Sequence, residues 1–231
     1  VSRHAAAVRT LITAEHASRE VPARWRACFD GEPGVLDTHR SWDEGSLRLA
    51  TALAEALTCP LMQGEVTRLL VDLNRPETHR DCFSEFSRSL DGLQRCELLD
   101  RFHRPYWQAF RERVGEPGRC LHLASHSFTP VWAGRVRRSD IGLLFDPARP
   151  HEAEWCRGVI GTLRQKLPGL RIHANQPYRG TSSGLGQFHR TCFPADKLLT
   201  AELEINVALL DRDDWAGLLA VLTEALLEHL R

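Results

Sequence analysis

No charge of one sign dominates this chain: thirty Lys and Arg balance thirty Asp and Glu. Proteins that neutralise nucleic-acid phosphates or cling to an anionic bilayer carry a basic excess or a basic stretch, so the balance favours a small-molecule partner, with no nucleic acid and no membrane. Long apolar runs are missing as well. None approaches the roughly 20 residues of a bilayer-spanning helix, and the first residues carry no apolar signal-peptide core before a cleavage site. No Cys-x-x-Cys pair occurs among the seven cysteines, at 28, 59, 82, 96, 120, 156 and 192. Scattered and odd in number, they suit reduced thiols used as small core residues, not a disulfide frame or a thiolate zinc knot. The expectation is a soluble cytoplasmic protein. No His-Glu-x-x-His helix or Gly-x-Gly-x-x-Gly loop offers zincin or dinucleotide chemistry.

What is present alternates β-rich runs with amphipathic stretches. Val8–Ala14 reads as an inner strand delivering Glu15, His16, Ala17 and Ser18 at its end. Residues 24–41 are irregular, broken by Gly31, Pro33 and Gly34. Beyond Asp43, Leu47, Ala50, Leu53, Ala54 and Leu57 recur at helical spacing, so Asp43 lies near a helix N-terminus, as an ordinary cap or as a carboxylate facing a metal. Leu61–Val66 predicts a short strand, and Leu69–Leu73 continues extended. Arg68 and Arg75 flank that run with Asp72 and Asn74, and they either pair with local carboxylates or offer forked donors to a substrate. Residues 92–114 predict a helix kinked or restarted at Pro105, with Leu99, Phe102, Tyr106, Phe110 and Val114 on its core face.

In the second half, residues 131–140 are a polar loop with three arginines and Ile141–Phe145 a buried strand. Trp155, Val159, Leu163 and Leu167 stripe a helix stopped by Pro168-Gly169, and Arg171–Asn175 is a short strand. The glycine-rich stretch 177–186 is a turn segment long enough to be a substrate lid. A last helix, capped by Asp211 or Asp213, buries Trp215, Leu218, Leu219, Leu222, Leu226 and Leu230. The whole, residues 1–231, reads as one domain: a three-layer α/β/α protein with a mixed, mostly parallel sheet.

Two stretches carry the chemistry. Cys120–Pro130 reads as a short buried strand that runs out into a loop at Ser125-His126-Ser127. A lone histidine there is ordinarily a core residue bonded to a carbonyl, but a strand end also holds an imidazole rigidly enough to bind a metal. Leu198–Asn206 alternates, with Glu202, Glu204 and Asn206 on one face and Leu203 and Ile205 on the other. Acidic residues along an inner strand are costly unless they line a polar cavity. In α/β sheets, sites gather at the carboxyl ends of strands, where His16, Arg75 and His126 all fall. Two histidines and a carboxylate from distant segments would leave one position of a tetrahedral zinc open for water, and Glu204 is the candidate base.

Taken together, Glu15-His16-Ala17-Ser18, Ser41-Trp42-Asp43-Glu44-Gly45, Thr67–Arg75, Ser125–Pro130, Asp140–Asp146 and Glu202–Asn206 resemble, in order, the N-formylglutamate amidohydrolase (N-formylglutamate deformylase) family. The resemblance implies a fold like that of the zinc carboxypeptidases and hydrolysis of an amide on a small acylated, formyl-like amino acid. It implies zinc, or another divalent transition metal, held by His16, Asp43 and His126, with Glu15 as the alternative to Asp43. Glu204 would be base and later proton donor. Arg68, Asn74 and Arg75 would grip the substrate, with Arg137 and Arg179 as further members of the clamp. The chain departs from the family pattern at Arg138, Ser183 and Gly186-Gln187, around the substrate loop and not the metal site. Two other functions fit the residues: a non-catalytic binder of an acidic metabolite, which has no need of Glu204, and a peptide or cell-wall amidase, which needs an open cleft.

Overall fold

The computed structural model describes residues 8–229. Its strands are β1 (Val8–Ala14), β2 (Leu61–Gln63), β3 (Arg119–Phe128), β4 (Val131–Trp132), β5 (Arg135–Val136), β6 (Ile141–Leu144), β7 (Ile172–Ala174) and β8 (Leu198–Asn206). Six form one sheet in the order β2-β1-β3-β8-β6-β7, and β4 and β5 form a separate hairpin. β2, β1, β3 and β8 are parallel, β6 is antiparallel to β8, and β7 is parallel to β6. The expected mixed, mostly parallel α/β sheet is therefore what forms.

The helices are α1 (Ser46–Leu57), α2 (Gly92–Leu98), α3 (Arg104–Gly115), α4 (Pro150–Lys166), α5 (Leu185–Cys192) and α6 (Trp215–Glu228). Neighbours along a strand point to opposite faces of the sheet. Ile12 accordingly joins Leu53, Val159 and Leu222 of α1, α4 and α6, whereas Leu11 joins Phe110 of α3 and Leu185 of α5. Helices on both faces explain why β3 and β8 are buried along nearly their whole length.

Several local expectations change. The strand from Leu61 stops at Gln63 because Gly64 turns against β1: its N–H donates to the Ala14 carbonyl at 2.9 Å, and a Cβ there would lie 2.1 Å from the Glu15 carbonyl oxygen. Leu69–Leu73 is not extended strand. Its N–H groups bond within loops, as Leu70 to Thr67 (3.0 Å) and Asp72 to Cys82 (2.8 Å), while Leu69, Leu70 and Val71 fill a third core cluster with Trp25 and Phe29. A short apolar run does not by itself distinguish a strand from a buried loop. Ser125, His126 and Ser127 stay inside β3, whose pairing with β8 continues to Phe128 opposite Asn206. Pro105 stands in the first turn of α3, so the expected second helix does begin there, although no gap separates it from α2. A π-helical turn, Leu99–His103, widens the path between α2 and α3 and gives the proline ring, which has no N–H, room against the preceding turn. The cap of α6 is Asp214, accepting from Gly217 N at 3.2 Å, in place of Asp211 or Asp213, and Leu230 lies outside the described residues.

One buried ion pair closes the sheet where β6 and β8 part. Their pairing ends at Leu144 opposite Glu202. Beyond it the carboxylate of Glu152, on the first turn of α4, accepts from Asp146 N (2.7 Å) and Thr200 N (3.1 Å), so it stands in for the next rung of the ladder. Arg190 of α5 donates to the same carboxylate at 2.7 Å, and to the carbonyls of Gly180 and Thr200. Gly180 is obligatory in that corner, because a Cβ would lie 2.1 Å from Phe145 N.

Candidate active site

The carboxyl ends of β1, β3 and β8 lie side by side. His16 is the second residue past β1, and His126 of β3 stands opposite Glu204 of β8 in the parallel register. On the far side of β8, Glu204 faces Gly142 of β6, whose missing side chain lets the Gln176 backbone approach. Asp43 comes from the loop before α1. Its main chain is spent locally, donating to His16 O at 3.0 Å and accepting from Ser46 N at 3.1 Å, but its carboxylate caps nothing. Instead Oδ2 contacts His126 Nδ1 at 2.9 Å and His16 Nδ1 at 3.3 Å, and Oδ1 accepts from Arg68 at 3.4 Å.

All three side chains are buried, and one ligand atom from each of His16, Asp43 and His126 falls within 4.8 Å of the others. Each imidazole is gripped again through its other nitrogen. His16 Nε2 lies 2.7 Å from Asp72 Oδ1, and His126 Nε2 lies 3.2 Å from Glu15 Oε2. Glu15 therefore sits on the far edge of His126 from Asp43. Asp43 is the carboxylate that stands with both histidines. Carboxylates behind histidines are the arrangement that fixes metal-ligating imidazoles. A donor set of two imidazoles and one carboxylate, opening onto a cleft, fits zinc or a similar divalent metal.

The electrostatics follow from this crowding. Burial opposes ionisation of Asp43, but His16, His126 and Arg68 outweigh it and hold the carboxyl well below its usual range. Burial of Glu15 is likewise overcome, chiefly by His126, and its pKa falls to about 2. His126, between two carboxylates, is raised well above the ordinary imidazole value in spite of its burial. Glu204 behaves oppositely. Burial pushes its pKa up to about 8, Asp43 and Glu202 add to that, and His126 and Arg137 only partly compensate; among the described residues Oε2 has no hydrogen-bond partner. A buried carboxyl held ready to exchange a proton near neutral pH is suited to general acid–base work.

A cleft of about 700 Å³ opens above these groups. Arg68 reaches it but is also tied to Asp43 and, at 3.1 Å, to Asp72. Asn74 accepts from Leu185 N at 2.8 Å and places its amide nitrogen 3.5 Å from His126 Nε2. Arg75 and Arg179 line the cleft with guanidinium groups that form no ion pair among the described residues. Arg137 donates to Tyr178 Oη at 2.8 Å and leaves Nη1 without a partner. Glu202 also faces the cleft, while Asn206 turns away to cap the following turn through Ala208 N at 3.1 Å. His39 is on the rim, and His122 is structural, bonded to Thr13 and Thr200 at 2.7 Å each. Gly180-Thr181-Ser182-Ser183-Gly184 spells Gly-x-Ser-x-Gly, but it lies in the loop between β7 and α5, and neither serine side chain bonds to a histidine. A strand-to-helix nucleophile elbow is not what it forms.

Asp72 was legible only as a neighbour of the arginines, and its bond to His16 yields a direct test. With a divalent metal held through His16, Asp72→Asn would weaken its affinity by roughly 10- to 100-fold, the usual effect of losing a partner behind a metal-ligating histidine. Competition against a chromophoric chelator measures it, and an affinity equal to wild type would show that Asp72 does not support the centre.

A profile of the N-formylglutamate amidohydrolase family matches residues 8–210. The chain belongs to that family. It is thus an amidohydrolase, built on the α/β fold described above. A gene product of Agrobacterium tumefaciens shares the fold with a TM-score of 0.77 and 26% identity, over 98% of this chain and 92% of that one. More distant matches are an N-acetylmuramoyl-L-alanine amidase of Nostoc punctiforme (TM-score 0.46, 10% identity, 96% and 97% coverage) and a metallo-carboxypeptidase of Burkholderia cenocepacia (0.43, 14%, 100% and 59%). No curated protein matches the sequence closely enough to be called a relative.

Proposed function

We propose that this amidohydrolase cleaves the amide of an N-acylated acidic amino acid at a zinc centre held by His16, Asp43 and His126. The observation that carries the proposal is the convergence of those three side chains, each histidine backed by a second carboxylate, beside a Glu204 oxygen with no other partner. Zinc bound there supplies Lewis-acid polarisation and lowers the pKa of water toward ~7. Glu204 takes the proton of the attacking water as the new bond forms between the water oxygen and the acyl carbon. It returns that proton to the amide nitrogen as the carbon–nitrogen bond breaks, and the products are a carboxylic acid and a free amine. Arg75 and Arg179, which form no ion pair among the described residues, hold the substrate carboxylate, helped by Arg68 and Asn74. The chain works as a single catalytic domain. All seven cysteines are free, which suits a reducing cytoplasm.

Elemental analysis of the purified protein, with His16→Ala and His126→Ala beside it, tests the centre. The expected result is about one zinc per chain in wild type and none in either variant, with the fold retained in all three. A wild-type protein that holds no metal and cannot be loaded would move the assignment to a metabolite-binding module.

A further inference from the structure

The exposed apolar side chains of this protein are clustered. Among the seven large ones in the described residues, Val131, Trp132 and Val136 stand on the β4–β5 hairpin and Tyr178 on the loop ahead of α5, with exposures of 50, 52, 74 and 45%. Trp132 and Tyr178 line the cleft. Single exposed apolar residues are ordinary, but a group of them on a cleft wall marks a surface that a ligand covers.

Arg137 ties this group together. Its guanidinium lies 5.3 Å from the Trp132 ring, 5.0 Å from the Tyr178 ring and 5.3 Å from the Phe128 ring, and it also donates to Tyr178 Oη. A cation seated among three π-faces holds their planes in place. His39 extends the wall, meeting Trp132 edge-on at 5.5 Å. Arg75 and Arg179, by contrast, line the same cleft with no aromatic partner among the described residues, so the mouth has an aromatic side and a cationic side. Size points the same way. About 700 Å³ lies within the range of roughly 300–1,000 Å³ that receives drug-sized ligands, well beyond an acidic amino acid capped by a single carbon.

We propose that the cleft selects N-acyl amino acids whose acyl group carries an aromatic ring, laid on the wall of Trp132, Arg137 and Tyr178, over those with a formyl group. The proposal rests on the amidohydrolase reading for the reaction and adds a claim about the acyl group alone. The bond cleaved is the same, and the products are an aromatic carboxylic acid and a free amino acid.

The test compares N-formyl-, N-acetyl- and N-benzoyl-L-glutamate on the metal-loaded wild type and on Trp132→Ala, with calorimetric binding of the same three compounds to Glu204→Gln. The wild type is expected to favour benzoyl over formyl in kcat/KM by about tenfold, and that ratio is expected to fall toward one in Trp132→Ala. A wild type that prefers the formyl compound, or a ratio that Trp132→Ala leaves untouched, overturns the proposal. If none of the three is hydrolysed, the reaction assignment has failed on its own, and binding decides the acyl-group question. Tighter binding of the benzoyl compound sustains the inference, and equal binding or none refutes it.

Discussion

Glu204→Gln should lose activity by a factor of roughly 10² to 10⁴, the contribution typical of a positioned acid–base group, while keeping its metal and its fold. Glutamine preserves the volume of the side chain and one acceptor but cannot exchange a proton. The same substitution should stabilise the metal-free protein, and the sign follows from linkage. The folded pKa of about 8 lies above the unfolded value of about 4.3, so between them the folded chain binds the extra proton and stability falls as pH rises through that window. Glutamine never ionises and escapes the loss. The chelated variant should therefore melt several degrees above chelated wild type at pH 9, and close to it at pH 4. A variant that is less active and also less stable at pH 9 would mean that Glu204 is an ordinary structural partner. One with unchanged activity would remove it from the mechanism altogether.

How much of this site was visible in the sequence depends on whether local pattern carried it. Glu202 and Glu204 betrayed a polar cavity because period-two alternation put two acids on the face of an inner strand, where burial is unaffordable without a purpose. His16 and His126 were legible from their places at strand ends. Asp43 was ambiguous, since a helix cap and a metal-facing carboxylate occupy the same position; only the structure shows the carboxylate capping nothing. Asp72 was hidden because Leu69–Leu73 looks like a strand, and its contact with His16 depends on a loop whose turns have no periodicity. The aromatic wall was hidden for a different reason. Val131–Asp140 reads as a polar loop, and the two-residue turn that folds it into a hairpin is Ala133-Gly134, both at positive φ (49° and 75°). Such turns usually announce themselves with asparagine or aspartate before glycine, and an alanine does not.

Glu152→Ala is expected to cost about 3–5 kcal/mol of folding stability, the range for removing one partner of a buried ion pair. In sequence Glu152 is an acidic residue on the first turn of a helix, a commonplace on a solvated surface. In the structure it is 1% exposed and holds the ends of β6 and β8, where they diverge, together with Arg149, more loosely at 3.7 Å, and Arg190, which is itself buried. Its loss leaves the guanidinium without a counter-charge and two backbone N–H groups without acceptors. Replacing the pair with apolar residues of similar volume often restores stability elsewhere, but here it should fall short, because Glu152→Leu with Arg190→Met would still orphan Asp146 N and Thr200 N. Arg190 also anchors the Gly180 carbonyl, so the loop bearing Tyr178 and Arg179 should loosen along with the core. Urea denaturation of the single and double variants separates these contributions. A double variant as stable as wild type would show that the carboxylate's two backbone bonds add nothing, and that the strand ends are held by packing alone.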